Sequence, residues 1–83
     1  MTHEIAFEMR GETITLGDLL KATGTAPSGG GAKALIVGGQ VQVDGQVELR
    51  RGCKLRAGQI ATLRGTRIRL VAKAAGPQED VGR

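Results

Sequence analysis

An aspartate-glycine pair set between short runs of alternating valine constrains this chain more than any other feature. In Val41-Gln42-Val43-Asp44-Gly45-Gln46-Val47, a dipeptide that tolerates positive φ at both positions joins two strand-like segments, the signature of a two-residue hairpin. What precedes it is a helix. Ala32, Leu35 and Ile36 have helical spacing, Gly38-Gly39 stops the run, and Ser28 stands where an N-cap side chain is wanted. One helix therefore feeds one hairpin. Directly beyond it come Arg50, Arg51, Lys54 and Arg56, with no acidic residue among them.

The flanking segments build outward from this unit. Ile5, Phe7 and Met9 alternate with Ala6, Glu8 and Arg10, the period of a half-buried strand, which sends Phe7 into the core. Gly11-Glu12 turns the chain. Thr15 caps a first helix, Asp18 completes a pattern like a capping box, and Gly24 ends the helix before Thr25-Ala26-Pro27 links it to Ser28. After the central hairpin, Ala57-Gly58-Gln59 turns into a second one, Ile60–Leu63 and Thr66–Val71 around Arg64-Gly65. There Ile68 and Leu70 point one way and Arg67 and Arg69 the other. Pairing with the first strand would set the two arginines beside Glu4 or Glu8 as surface ion pairs. The predicted core is Leu16, Leu19, Leu20, Leu35, Ile36, Val41, Val43, Val47, Leu55, Ile60 and Ile68. The order strand, helix, helix, hairpin, hairpin predicts an α+β fold, its helices packed on a small, mostly antiparallel sheet. Residues 1–73 form one domain on this reading, and 74–83, small and polar, form a disordered tail.

Charge narrows the function. The net charge of the 83 residues is +4, but the acidic ends conceal a strongly basic middle: residues 16–75 hold ten basic and three acidic side chains. A small body of that charge attracts polyanions, nucleic acid first. No apolar run reaches membrane length and no secretory leader is evident, so a soluble cytoplasmic protein is expected. One cysteine, Cys53, and one histidine, His3, complete neither an internal disulfide nor a zinc site. The carboxylates have no spacing that suggests a general acid and base, so no enzyme, metal, cofactor or small-molecule substrate is expected. Gly31-Ala32-Lys33 lacks the Gly-Lys-Ser/Thr ending of a nucleotide-binding P-loop. Cys53, between Arg51 and Lys54, is open to two readings: a thiolate favoured by positive charge, or a small packing residue. Gly29-Gly30-Gly31 is open to two as well, a bare helix start that an anion approaches or a flexible lead-in.

Taken in order, Leu16-Gly17-Asp18-Leu19-Leu20-Lys21, then Ser28, Ala32-Lys33, Leu35-Ile36, Gly39, Val41 and Val43-Asp44-Gly45, then Lys54-Leu55 and Gly58-Gln59, resemble the S-four RNA-binding domain. This family, also called the alpha-L motif, is named from a small-subunit ribosomal protein. Glu48, Arg50-Arg51 and Cys53-Lys54 are similar to its small stand-alone bacterial members, the YbcJ-like proteins. The resemblance spans about two-thirds of the chain. It implies that the two helices and the following hairpin form an RNA-binding unit. The resemblance points to Lys21, Ser28, Lys33, Arg50, Arg51 and Lys54 as RNA-binding residues, to which the glycine-rich helix start and the run of cations add Gly29, Gly30 and Arg56. One departure matters. Many members of the wider family have arginine directly after the serine, where this chain has Gly29, so phosphate binding shifts toward Lys33 and residues 50–56.

Without Trp or Tyr and with one Phe, the chain has no platform for stacking single-stranded bases, so recognition of structured ribosomal or transfer RNA through phosphates and shape is expected, by a monomer. The alternative is a protein-interaction module whose basic face joins a ribonucleoprotein or an acidic partner. A sulfur-carrier reading, prompted by Val41 to Gly45, needs a terminal Gly-Gly where the chain has Gly82-Arg83. Deleting residues 77–83 is expected to leave the melting temperature unchanged, since they bring no apolar set to bury. A clear drop on thermal denaturation would show that the segment docks.

Overall fold

The computed structural model describes residues 3–72; the expected tail at 74–83 lies outside them. β1 (His3–Glu8) is followed by a two-residue strand β2 (Ile14–Thr15), helices α1 (Leu16–Ala22) and α2 (Gly29–Val37), and strands β3 (Val41–Val43), β4 (Gln46–Val47), β5 (Lys54–Leu55), β6 (Ile60–Leu63) and β7 (Thr66–Val71). Five strands form one sheet in the order β1-β7-β6-β3-β4. All its pairings are antiparallel except β1 with β7. The α+β architecture with a mostly antiparallel sheet is the expected one.

Local chemistry explains the elements. Ser28 caps α2 by accepting from the Gly31 amide at 3.1 Å, and Gly39 takes the left-handed conformation, φ +77°, that closes the helix. Asp44 and Gly45 turn the first hairpin with φ of 53° and 87°, the double positive φ of a type I′ turn. The Asp44 carboxylate then accepts from Gln59 Nε2 and from the Ile60 amide, at 3.0 and 3.1 Å. That clasp fixes the first hairpin against the start of the second.

β2 is absent from the sequence reading, because two residues are too few to show a period. It pairs with β5, Ile14 opposite Leu55 and Thr15 opposite Lys54. The ladder continues into α1: the Leu16 amide donates to the Cys53 carbonyl and the Gly17 amide to the Arg51 carbonyl, both at 2.9 Å. These are amides that a helix cannot satisfy within itself. With the Asp18 amide on Thr15 Oγ1 at 3.2 Å, the start of α1 is anchored to the segment after β4.

Leu16, Leu19 and Leu20 of α1 and Ile36 of α2 meet Val41, Leu55 and Ile68, all fully buried. Met9, Ala26, Ala32, Ala61, Leu63 and Leu70 join them. Leu35, Val43 and Ile60 are half-buried, and so is Phe7, which packs against the core and also lines a surface groove. Val47 corrects the prediction outright, with 53% of its surface exposed. Its register sets it opposite Gln42 on the solvent face, at the edge strand where no neighbour covers it. The ion pair expected between β7 and β1 forms at Arg69, whose Nε lies 3.4 Å from Glu4 Oε2. Arg67 faces Glu4 in register but makes no ion pair among the described residues.

Ile36→Ala is expected to cost about 2–5 kcal/mol through the cavity it leaves, whereas Val47→Thr, on the solvent face, should change stability by less than about 0.5 kcal/mol. Urea unfolding of the two variants checks the assignment of faces, and a comparable loss from both would contradict it.

Candidate functional site

The anchoring of α1 on residues 51–53 makes a cleft. On one side stands α1 with Gly17, Asp18 and Lys21; opposite it lies the start of α2, with Gly29; Arg51 and Gly52 close the third side. The hollow has a volume of about 190 Å³. Gly17 sits so close to the loop that a Cβ there would meet Arg51 Cβ and the Arg51 carbonyl at 3.5 Å. The Lys21 stem runs alongside α2, its Cδ 4.0 Å from where a Gly29 Cβ would stand. Three residues proposed from sequence, Lys21, Gly29 and Arg51, therefore meet at one place although they come from three separate segments.

The two helix starts are treated oppositely. α1 has its first three amides satisfied by Cys53, Arg51 and Thr15. In α2 the Gly31 amide is taken by Ser28 Oγ and the Ala32 amide by the Ser28 carbonyl. The amides of Gly29 and Gly30 have no acceptor among the described residues, and they carry the positive end of the helix dipole. Of the three glycines at the start of α2, only Gly31 is crowded, where a Cβ would lie 3.1 Å from Pro27 Cδ. At Gly29 and Gly30 a Cβ would come no closer than 3.9 Å to any neighbour. Packing therefore does not require glycine at these two positions.

The remaining predicted residues spread around this centre. Ser28 is exposed at the cap, and Lys33 is exposed one helical turn beyond Gly29 and Gly30, outside the cleft lining. Arg50 and Lys54 border a second hollow with Gly52 and Cys53, so the 50–54 segment presents Arg51 to one depression and its neighbours to the next. Arg56 is exposed and lines neither; its amide donates to Gln59 Oε1 at 2.8 Å. The site therefore has a centre of Lys21, Gly29 and Arg51 and a periphery.

Two acidic neighbours were missed by reading the basic residues alone. Glu48 Oε2 accepts from both the amide and Nε of Arg50 at 3.0 Å. That hydrogen bond holds the Glu48 carboxyl below its ordinary pKa and raises that of Arg50, so Arg50 is already engaged with an anion. Asp18 lies 3.7 Å from Lys21 Nζ, but both side chains are at least half exposed and the pair is weak. The signals were in the sequence, an acid two residues before Arg50 and another three before Lys21. Arg51, Lys33, Lys54 and Arg56 make no ion pair among the described residues.

The surroundings of Cys53 bear on its two readings. It packs half-buried against the core, and burial first, then the charge of Glu48, pushes its thiol above its ordinary pKa, Arg50 only opposing this. Packing against the core and a raised thiol pKa both favour the packing reading over an activated thiolate. Among the described residues no three metal-capable side chains gather, and no helix is long and apolar enough to cross a membrane. Because the folded pKa is raised, the contribution of the neutral thiol to stability is whole below the ordinary thiol pKa and fades as pH rises through the raised value. Iodoacetamide at pH 8 is expected to alkylate Cys53 more slowly in the folded protein than in urea, and Glu48→Gln should narrow the difference. An equal or faster folded rate would restore the reactive reading.

Known proteins place this arrangement. A family model described as the S4 domain matches residues 7–71. Over 59 residues, 71% of this chain and 84% of the relative, the sequence is 48% identical to an Escherichia coli K12 protein named "Putative RNA-binding protein YbcJ". It matches the "Uncharacterized protein YbcJ" of Shigella flexneri to the same extent. The solution structure of E. coli YbcJ, described as revealing an alfaL motif involved in RNA-binding, has a TM-score of 0.60 at 39% identity and covers 87% of this chain and 90% of that one. Because the match runs from within β1 to the end of β7, taking in both helices and the cleft between them, the chain belongs to the S4 domain family.

Proposed function

We propose that the protein binds structured RNA, of the ribosomal or transfer class, through backbone phosphates and shape and without catalysis. The observation that carries this is the cleft where Lys21, Arg51 and Gly29 converge, at the helix start whose first amide is bare. A phosphate there receives two cationic side chains and the Gly29 amide at the positive end of a helix, an arrangement suited to one anionic group of a polymer. Lys33 and Lys54 extend the charge on either side of the cleft, so that neighbouring phosphates meet further cations. A groove read by donors and not by stacking suits an A-form helix, whose minor groove displays hydroxyls and phosphates. The name and described motif of E. coli YbcJ agree with the same ligand class. We place the protein in the cytoplasm, acting as a monomer.

If about four or five phosphates are engaged, log K should fall against log salt with a slope of magnitude roughly 3 to 4. Replacing Lys21 and Arg51 together with Ala should lower that slope by about 1 to 2 and weaken unrelated structured RNAs by similar factors. Arg50→Ala should do less than Arg51→Ala, since Glu48 already holds Arg50. The double variant of Arg67 and Arg69, on the solvent face of the sheet, is the control of equal charge. Fluorescence anisotropy against a transfer-RNA-sized hairpin makes the comparison, and equal losses from the two double variants would leave a generally basic protein with no localised site.

A further inference from the structure

The one phenylalanine lines a groove beside α1, on the helix face next to the one that borders the basic cleft. Phe7, with Ile14 and Ala22, forms the apolar lining of this groove of about 430 Å³, and Arg10, Thr13 and Asp18 supply its polar wall. Asp18 also lines the basic cleft. One carboxylate thus stands between the two hollows, and Lys21, on the cleft side, lies three residues, about 4.5 Å, further along the helix axis. A nucleotide whose phosphate is held at Lys21 has its own base within reach of the groove.

Asp18 has a structural use, since a carboxylate in the first turn of α1 meets the positive end of the helix dipole, but it is also the one acidic side chain that lines either hollow. It is an exposed carboxylate in a site built for a polyanion, and its contact with Lys21 is weak. Against phosphates it only repels. Against a base it has a use, since an ionised carboxylate accepts two adjacent hydrogen bonds and has no donor of its own. Guanine is the base whose Watson–Crick edge presents two adjacent N–H donors; in adenine, cytosine and uracil each donor stands next to an acceptor. Phe7 offers a face or edge to a flat ring, and Arg10, which makes no ion pair among the described residues, offers donors to the acceptor side of guanine.

Resting on the reading of the basic cleft as an RNA site, we propose that the groove between α1 and the β1–β2 turn is a guanine subsite, so that the RNA recognised carries an unpaired guanosine beside its duplex, laid over α1 and held by Asp18, Arg10 and Phe7.

The test uses the full chain and three RNA hairpins of equal length and charge, one with a single bulged guanosine, one with a bulged adenosine and one fully paired. Anisotropy titrations at fixed salt should show the guanosine bulge bound about tenfold more tightly than the adenosine bulge. Asp18→Asn should erase the preference with opposite signs, weakening the guanosine hairpin while strengthening the other two as a repulsive charge is lost. Phe7→Leu, with its far-ultraviolet circular dichroism unchanged, should weaken both bulged hairpins and leave the paired one alone. If Asp18→Asn strengthens all three alike, the carboxylate only repels phosphate and the subsite is refuted while the basic cleft stands. If the wild type binds none of them, the RNA reading fails and the subsite with it.

Discussion

Two hydrogen bonds at the start of α1 hold the cleft end of this molecule together. The amides of Leu16 and Gly17 need acceptors that their own helix cannot supply, and the carbonyls of Cys53 and Arg51 provide them. The segment after β4 would otherwise be a basic loop with few reasons to hold one shape. Tied to α1, it brings Arg51 against Gly17 and completes a cleft with α2. Leu55 then locks the arrangement from below, fully buried among Leu16, Leu19 and Ile36. A polar attachment and an apolar one, two residues apart in the chain, thus act on the same loop.

The unequal capping of the two helices divides their labour. Donors consumed in α1 fix the architecture, and donors left over in α2 remain available at the surface. Both helices carry an N-cap hydroxyl that satisfies the third amide, so the difference lies wholly in whether a neighbouring strand end reaches the first two. It reaches one helix and not the other. Glycines at positions 29 and 30 are disfavoured in a helix on propensity, and no neighbour crowds them into that choice.

Much of the fold was legible because its punctuation is chemical. Ser28, Gly39, Asp44-Gly45 and Arg64-Gly65 each mark a boundary by a local requirement on a side chain or on φ, and each boundary stands where it was read. What could not be read depends on contacts between distant segments. β2 and β5 are too short to have a period, and Val47 has the alternation of a core strand but occupies the uncovered edge of the sheet. Phe7 packs against the core as its alternation implies, yet it stays half-buried and lines a surface groove. At the candidate site the residue types were legible and their grouping was not. Nothing in the spacing of Lys21, Gly29 and Arg51 shows that they meet, while Arg50, adjacent to Arg51, turns to Glu48 instead.

The parallel pairing of β1 with β7 has a consequence for how the chain is assembled. β1 is the first described strand to be made and β7 the last, and β1 has no other neighbour in the sheet. During synthesis the N-terminal strand must wait, its apolar Ile5 and Phe7 without a partner, until almost the whole domain has left the ribosome. The helices and the central hairpin, joined by short connections, are free to form sooner, and the loop closed between β1 and β7 is nearly the longest the domain permits. Completion of the sheet is thereby deferred to the final step, after the face that bears the cleft has had the opportunity to take shape.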